Sequence, residues 1–320
     1  MNQTQQALYA AAEAALEAPS IFNSQPWLWT VRDDRLELRA DRSRQIASID
    51  PHGRLIMISC GVAVHHAMVA ISTHGVQLKL LPDGRDADLV AVLLLREAAP
   101  PDRRLDALRA AIKERHTDRR PFQKEPINGT ILDRIAAACH AQGAHLYFVP
   151  WSQIPALALA AVGAGALQLS DPGYRRELAD WTHRPPWSGD GVPVQTSVET
   201  TPRRVPARDF APSGGNVMPA GLDNDFGATY GILHTDADTI TDWLAAGMGL
   251  SAVLLTATAA ALGTATISDV TEAPLVREYL RQLLPSGQPQ VAVRIGHPQP
   301  GGPPSTPRRP ANEVITVAGA

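Results

Sequence analysis

The chain is poor in cysteine, in aromatic residues and in net charge, and each shortage excludes a class of protein. Its 320 residues include only Cys60 and Cys139, both in Ala-rich, apolar surroundings. This usage predicts buried, reduced thiols and argues against a disulfide framework. The formal net charge of −3 at pH 7 gives no reason to expect nucleic acid as a partner.

Long uninterrupted apolar runs are also scarce. No basic start followed by an apolar core marks a secretory signal. Residues 245–262 come closest to a membrane span, but glycine, serine and threonine interrupt them, which favours a buried helix. We therefore expect a cytoplasmic, soluble protein without a membrane partner.

Common signatures of catalysis and metal binding are missing or misplaced. The histidines show no ligand spacing with cysteines or carboxylates, so no metal site is predicted. No GxSxG motif is present. Residues 247–252 fit the pattern GxGxxA, yet they continue a predicted helix instead of following a strand. The sequence thus argues against acyl transfer and against a Rossmann dinucleotide site.

The most informative segment is residues 18–27, with the sequence APSIFNSQPW. Its two prolines predict an extended backbone that leaves the preceding helix at residues 3–17. Pro19 and Ser20 are followed by Asn23, and apolar Phe22 and Trp27 lie beside these polar groups. Hydrogen-bonding groups next to apolar faces suit a flat polar heterocycle.

Hydrophobic patterning predicts two halves with an insertion. Each half contains a long apolar helix, at residues 53–74 and 239–262, followed by strand material. Asp238 is the predicted N-cap of the second helix. We place the halves at residues 1–103 and 104–320. Residues 183–228 are rich in proline, glycine and charge, which predicts a long loop that is either a lid or disordered.

The opening segment resembles the PSxxNSQPW signature of the nitroreductase-like flavoproteins, which bind FMN. A second match is RHTDRRPF at residues 115–122, which resembles the family's RxSxRxF run. Arg115, Thr117 and Arg119 alternate and are predicted to share one side, where cations and a hydroxyl suit a phosphate. The alternative is a solvated basic turn.

Two further matches lie near the end of the chain. In the family, the segment after the buried helix offers backbone amides to the flavin N5 edge, and Ser268 and Asp269 occupy the matching positions here. A basic residue before the terminal strand closes on the cofactor phosphate, which points first to Arg308 and second to Arg309. The alternatives are an ordinary helix–strand connection and a disordered Pro-rich tail.

The distribution of these matches implies an internal pseudo-dimer. Family members are homodimers in which one subunit supplies the arginines and its partner the PSxxNSQPW segment, whereas here each half carries only one of these parts. The resemblance is to the Acg-type branch. It implies an α+β nitroreductase-like fold of two fused halves with a lid-like insertion, one FMN per monomeric chain and no side-chain acid or base.

The implied activity is NAD(P)H-dependent reduction of nitroaromatics or quinones through FMN. If Trp187 and Phe210 of the insertion fold over the flavin, they would exclude a bulky donor. The alternative function is then an FMN-binding or sequestering protein whose lid blocks turnover.

Overall fold

The first half of the chain alternates helices with antiparallel strands. The computed structural model describes residues 1–81, 86–98, 100, 102–199, 201–212 and 218–318. The first elements are α1 (Gln3–Ala15), β1 (Trp27–Val31), β2 (Arg35–Ala40), α2 (Arg54–Ala70), β3 (His74–Leu80) and β4 (Leu89–Ala98).

The second half contains more helices and a second sheet. Its elements are α3 (Arg103–Glu114), α4 (Gly129–His140), β5 (His145–Phe148), α5 (Ile154–Ser170), α6 (Pro172–Thr182), β6 (Thr229–Thr235), α7 (Ile240–Ala259), β7 (Gly263–Ile267), α8 (Asp269–Glu272), α9 (Pro274–Arg281), β8 (Gln288–Gly296), α10 (Ala311–Val314) and β9 (Ile315–Val317). Short 3₁₀ turns cover Ile21–Asn23, Arg42–Arg44, Trp151–Gln153, Pro186–Ser188 and Val194–Thr196. The predicted α+β class is confirmed.

Two sheets form the framework, and the end of the chain joins the first of them. One sheet has the strand order β3–β4–β2–β1–β9 and the other β5–β6–β8–β7. All neighbours are antiparallel except β1 and β9, which run parallel with Trp29 opposite Ile315. The terminal strand therefore fastens the second half of the sequence to the sheet of the first.

The long apolar helices α2 and α7 pack against each other at two glycines. A Cβ atom on Gly61 would lie 2.2 Å from the Leu244 carbonyl oxygen, and one on Gly247 would lie 2.0 Å from that of Ile58. Neither distance can accommodate a side chain, so the backbones touch. The pattern 247–252 that mimics a dinucleotide fingerprint is thus explained by helix packing.

Some predicted helix boundaries are wrong, and helices α4, α8 and α10 were not predicted. Helix α2 ends at Ala70, four residues before the predicted end. Thr239, not Asp238, caps α7: its hydroxyl accepts from the Asp242 backbone N–H. The Asp238 carboxylate instead accepts hydrogen bonds from Trp243 and Arg277. Helix α4 is capped by Asn128 and lies in a stretch that the sequence analysis did not assign.

Two helical stretches are long and apolar enough to cross a membrane by length and composition. Ile240–Ala259 is 72% buried within the protein, whereas Trp151–Ser170 is only 33% buried. The sequence indicated only the first of these. A buried core helix can have the same length and composition, so these helices assign no membrane partner.

The helix crossing makes a stability prediction. Glycine in a helix interior normally costs about 0.5–1 kcal/mol relative to alanine. We expect Gly247→Ala to lower the free energy of unfolding by about 1–3 kcal/mol, because its Cβ overlaps the Ile58 carbonyl. Gly163→Ala and Gly165→Ala in α5 are matched controls, since no atom lies within 4 Å of either Cβ position, and they should stabilise the protein. Denaturant unfolding measures all three, and equal effects at the three sites would contradict the close crossing.

Candidate cofactor-binding site

A cavity in the protein is lined by residues from distant parts of the sequence. Its empty volume is about 1230 Å³, including the part that opens to solvent. The insertion contributes to its lining through Arg203, residues 205–208 and Phe210. Nine of the ten predicted site residues line it: Pro19, Ser20, Asn23, Arg115, Thr117, Arg119, Ser268, Asp269 and Arg308.

Arg309 is the predicted residue that lies outside this lining. Its guanidinium donates to the Gln25 carbonyl at 3.3 Å and lies 3.7 Å from the Asp41 carboxylate. Its backbone N–H donates to the Gln25 side chain at 2.9 Å. Arg309 thus fastens the C-terminal tail to the 18–27 segment, while Arg308 faces the cavity.

The 18–27 segment lines the cavity and also binds the insertion and the C-terminal tail. Both amide hydrogens of Asn23 are donated within the protein, to the carbonyls of Gly191 and Pro307 at 3.0 Å each. Gln25 donates to the Gly189 carbonyl at 2.8 Å. Ser20 accepts from the Gln25 backbone N–H, also at 2.8 Å, which leaves its hydroxyl hydrogen for another acceptor. The side chains expected to hold a heterocycle therefore also bind the insertion and the tail.

The backbone of this segment explains its compact shape. Phe22, Asn23 and Gln25 have φ values of 48°, 53° and 49°, a left-handed region that few side chains adopt. Ser59 of α2 stabilises the turn, because its hydroxyl accepts from the Ile21 backbone N–H at 3.2 Å. The sequence predicted an extended segment after the first proline, but the chain coils back at Phe22.

Arg115 and Arg308 form a buried pair of cations. Both guanidinium groups donate to the Glu17 backbone carbonyl, at 3.2 and 3.0 Å. Within the part of the chain that the structure describes, the Nε atom of each makes no hydrogen bond, although that of Arg308 lies near the Glu17 carboxylate. Burial and the charge of Arg308 lower the pKa of Arg115 to about 9, and burial also lowers the pKa of Arg308. Among the described residues, the carboxylate paired with them is Glu17, which is 42% exposed and 3.5 Å from Arg308. Two buried positive charges with so little compensation suit a dianionic ligand.

Arg119 lies in a different environment from Arg115. Its guanidinium packs 4.6 Å from the ring centre of Phe210, and its Nη1 atom has no partner among the described residues. Burial and the nearby Arg208 lower its pKa to about 10. Thr117 pairs with Thr264 of β7. Arg115 and Arg119 both line the cavity, but Arg115 converges with Arg308, whereas Arg119 packs against the insertion.

Arg208 of the insertion belongs to a buried charged cluster that no sequence pattern indicated. Arg208 donates to the buried Glu272 carboxylate at 2.6 Å, and Gln168 donates to its other oxygen at 2.5 Å. Arg208 also packs 4.8 Å from the ring centre of Phe22. No local sequence signal links these residues, because each lies at least 40 positions from the others in the chain.

Trp187 does not cover the cavity as expected. Its side chain is 84% exposed. Phe210 instead makes the aromatic contact, meeting Phe22 edge-to-face with ring centres 5.6 Å apart. The cavity is thus bordered by a phenylalanine from the insertion, and Trp187 lies on the surface.

Comparison with known proteins places the chain in a family. It is 36% identical over 315 residues to "Putative NAD(P)H nitroreductase Rv3131" of Mycobacterium tuberculosis, covering 94% of this chain and 88% of that protein. It is 31% identical over 326 residues to "Putative NAD(P)H nitroreductase acg" of the same organism, covering 98% and 96%. The chain belongs to the nitroreductase-like superfamily. Within it, the chain belongs to the Acg-type branch.

Family models and solved structures were also compared with the chain. No family model matches the chain. Among solved structures, a nitroreductase with bound FMN from Bacteroides fragilis aligns with a TM-score of 0.40 and 16% identity, covering 64% of this chain and 95% of that one.

Asp269 makes the site sensitive to pH. Burial raises the pKa of its carboxyl to about 6, with Arg208 opposing the shift and Glu272 adding to it. Because the folded-state pKa lies above the unfolded value of about 3.9, stability is lost as the pH rises from about 4 to 6. We expect the stabilisation by Asp269→Asn to grow by about 2 kcal/mol between pH 4 and pH 7. Denaturant unfolding at both pH values measures it. Asp133→Asn, on an exposed part of α4, is the control, and equal behaviour of the two variants would contradict the assignment.

Proposed function

We propose that this chain binds one FMN between its two halves and acts as an NAD(P)H-dependent oxidoreductase of nitroreductase type. The observation that carries the proposal is the buried Arg115–Arg308 pair with its unpartnered Nε atoms. A phosphate monoester supplies two negative charges for this pair and acceptor oxygens for its Nε atoms. The names of the mycobacterial relatives support the redox activity.

The remainder of the cavity fits the other parts of such a cofactor. Ile58 of α2 and Leu250 of α7 offer apolar surface, with Phe22 beside them. Thr117 and Ser20 supply hydroxyls for polar atoms. By family resemblance, the backbone at Ser268 and Asp269 faces the redox-active edge. When bound, FMN supplies hydride and electron transfer, while the protein binds, orients and shields it.

A fused pseudo-dimer accounts for a single complete site per chain. We propose the halves 1–103 and 104–320 as the counterparts of two subunits, with the chain acting as a monomer. The paired helices α2 and α7, each with a glycine at the contact, support this internal relation. The tail returns to the first sheet through β9, which brings Arg308 to Arg115.

Substitution of the arginines tests the cofactor assignment. Arg115→Gln and Arg308→Gln should each remove about 1.5–3 kcal/mol of binding energy, which weakens FMN binding about ten- to a hundredfold. Binding of riboflavin, which lacks the phosphate, should change little. Titration of cofactor-free protein by flavin fluorescence measures both ligands. Arg281→Gln, at an exposed position of α9, is the control. A loss equal to that of Arg308→Gln, or equal losses for riboflavin, would contradict the phosphate site.

The insertion supports a second candidate function, FMN storage without turnover. Phe210 contacts Phe22 and Arg119 at the cavity, so an ordered lid there would restrict access to the flavin. We expect anaerobic NADPH or NADH to bleach the flavin band within minutes, and Phe210→Ala to accelerate bleaching severalfold. Exposed Trp187→Ala should leave the rate unchanged. Absence of bleaching by either donor at high concentration would favour storage.

A further inference from the structure

The backbone between Asp118 and Phe122 is held by side chains from elsewhere in the chain. Arg294 of β8 donates to the carbonyls of Asp118 and Arg120, at 2.8 and 2.9 Å. Arg203 of the insertion donates to the intervening Arg119 carbonyl at 2.9 Å. Two guanidinium groups therefore hold three consecutive backbone carbonyls, at residues 118–120, within the segment 115–122 that is predicted to bind phosphate.

Asp225, at the end of the insertion, holds both parts of this arrangement together. Its carboxylate oxygens each accept from Arg294 Nη1 at 2.6 Å, and one also accepts from the Phe122 backbone N–H at 2.7 Å. Arg203 lies 3.9 Å from the same carboxylate. Asp225 is fully buried and its φ is 66°, in the left-handed region that aspartate and asparagine tolerate best after glycine.

We propose that Asp225 and Arg203 are positioning residues that fix Arg119 in the cavity, so that the insertion is part of the binding site. Arg203 and Arg294 border the cavity, whereas Asp225 lies behind it. Asp225 therefore acts through the 118–122 backbone. This proposal rests on the proposed function for the identity of the ligand, but the backbone arrangement itself stands independently of it.

The arrangement limits how the insertion can move. Displacement of the whole insertion would separate Asp225 from Arg294 and break a buried ion pair, which is strongly unfavourable. It would also release the Arg119 carbonyl. Any opening that spares the site must therefore leave Arg203 and Asp225 in place. Deletion of a segment that includes Arg203 would loosen the site as well as uncover it.

Asp225→Asn is the most informative variant. Asparagine tolerates the left-handed backbone and keeps an oxygen for the Phe122 N–H, but it cannot pair with Arg294 as a carboxylate does. We expect FMN binding to weaken about tenfold in this variant. In an Arg119→Gln background the same change should weaken binding less than twofold, because the residue that Asp225 positions is already missing. A general loss of stability would instead lower affinity equally in both backgrounds.

Hydrogen exchange provides a readout that needs no cofactor. In cofactor-free protein, Asp225→Asn should accelerate amide exchange in the peptide covering residues 118–122 at least tenfold. Asp223→Asn, two residues away and without a described contact to that peptide, should not. Arg203→Lys should retain more FMN affinity than Arg203→Met, since lysine still donates to the Arg119 carbonyl.

The outcomes separate this proposal from the proposed function. Unchanged exchange at 118–122, or equal losses of FMN affinity in the two backgrounds, would overturn the positioning role. If the wild-type protein bound no FMN, the proposed cofactor would be wrong, and exchange alone would decide whether Asp225 holds the segment.

Discussion

The close approach of α2 and α7 is the constraint on which the rest of the structure depends. At Gly61 and Gly247 the helix backbones meet with no space for a side chain. Three residues from these glycines, Ile58 of α2 and Leu250 of α7 both line the cavity. Ser251 reinforces the contact through two buried histidines of α2. The crossing thereby fixes α2 against α7 and places apolar side chains of both helices at the cavity.

Charge is distributed around this cavity in two different ways. Arg208 and Arg294 have buried carboxylate partners, Glu272 and Asp225, so their charges are compensated within the protein. The Arg115–Arg308 pair has no comparable partner among the described residues, and burial depresses both pKa values. Arg208 and Arg294, which have carboxylate partners, stabilise the shape of the site. The Arg115–Arg308 pair lacks such a partner in the described part of the chain, so it favours binding of an anion.

The sequence located nine residues of the cavity lining but not the interactions that organise it. A short motif identified Ser20 and Asn23, and a strong resemblance identified Arg115, because these signals are local in sequence. The roles of Arg203 and Asp225 depend on contacts with β8, which only the folded chain brings together. The exposed position of Trp187 was unpredictable for the same reason. The family resemblance ranked Arg308 ahead of Arg309, and Arg308 is the one of the two that lines the cavity.

The most direct test of a single, fused site is the number of FMN molecules per chain. Flavin released from purified, reconstituted protein can be quantified by absorbance against the protein concentration, with the molecular mass measured in the same solution. The account predicts one FMN per chain in a monomeric protein. Two FMN molecules per chain, or a colourless protein that takes up no added FMN, would contradict it.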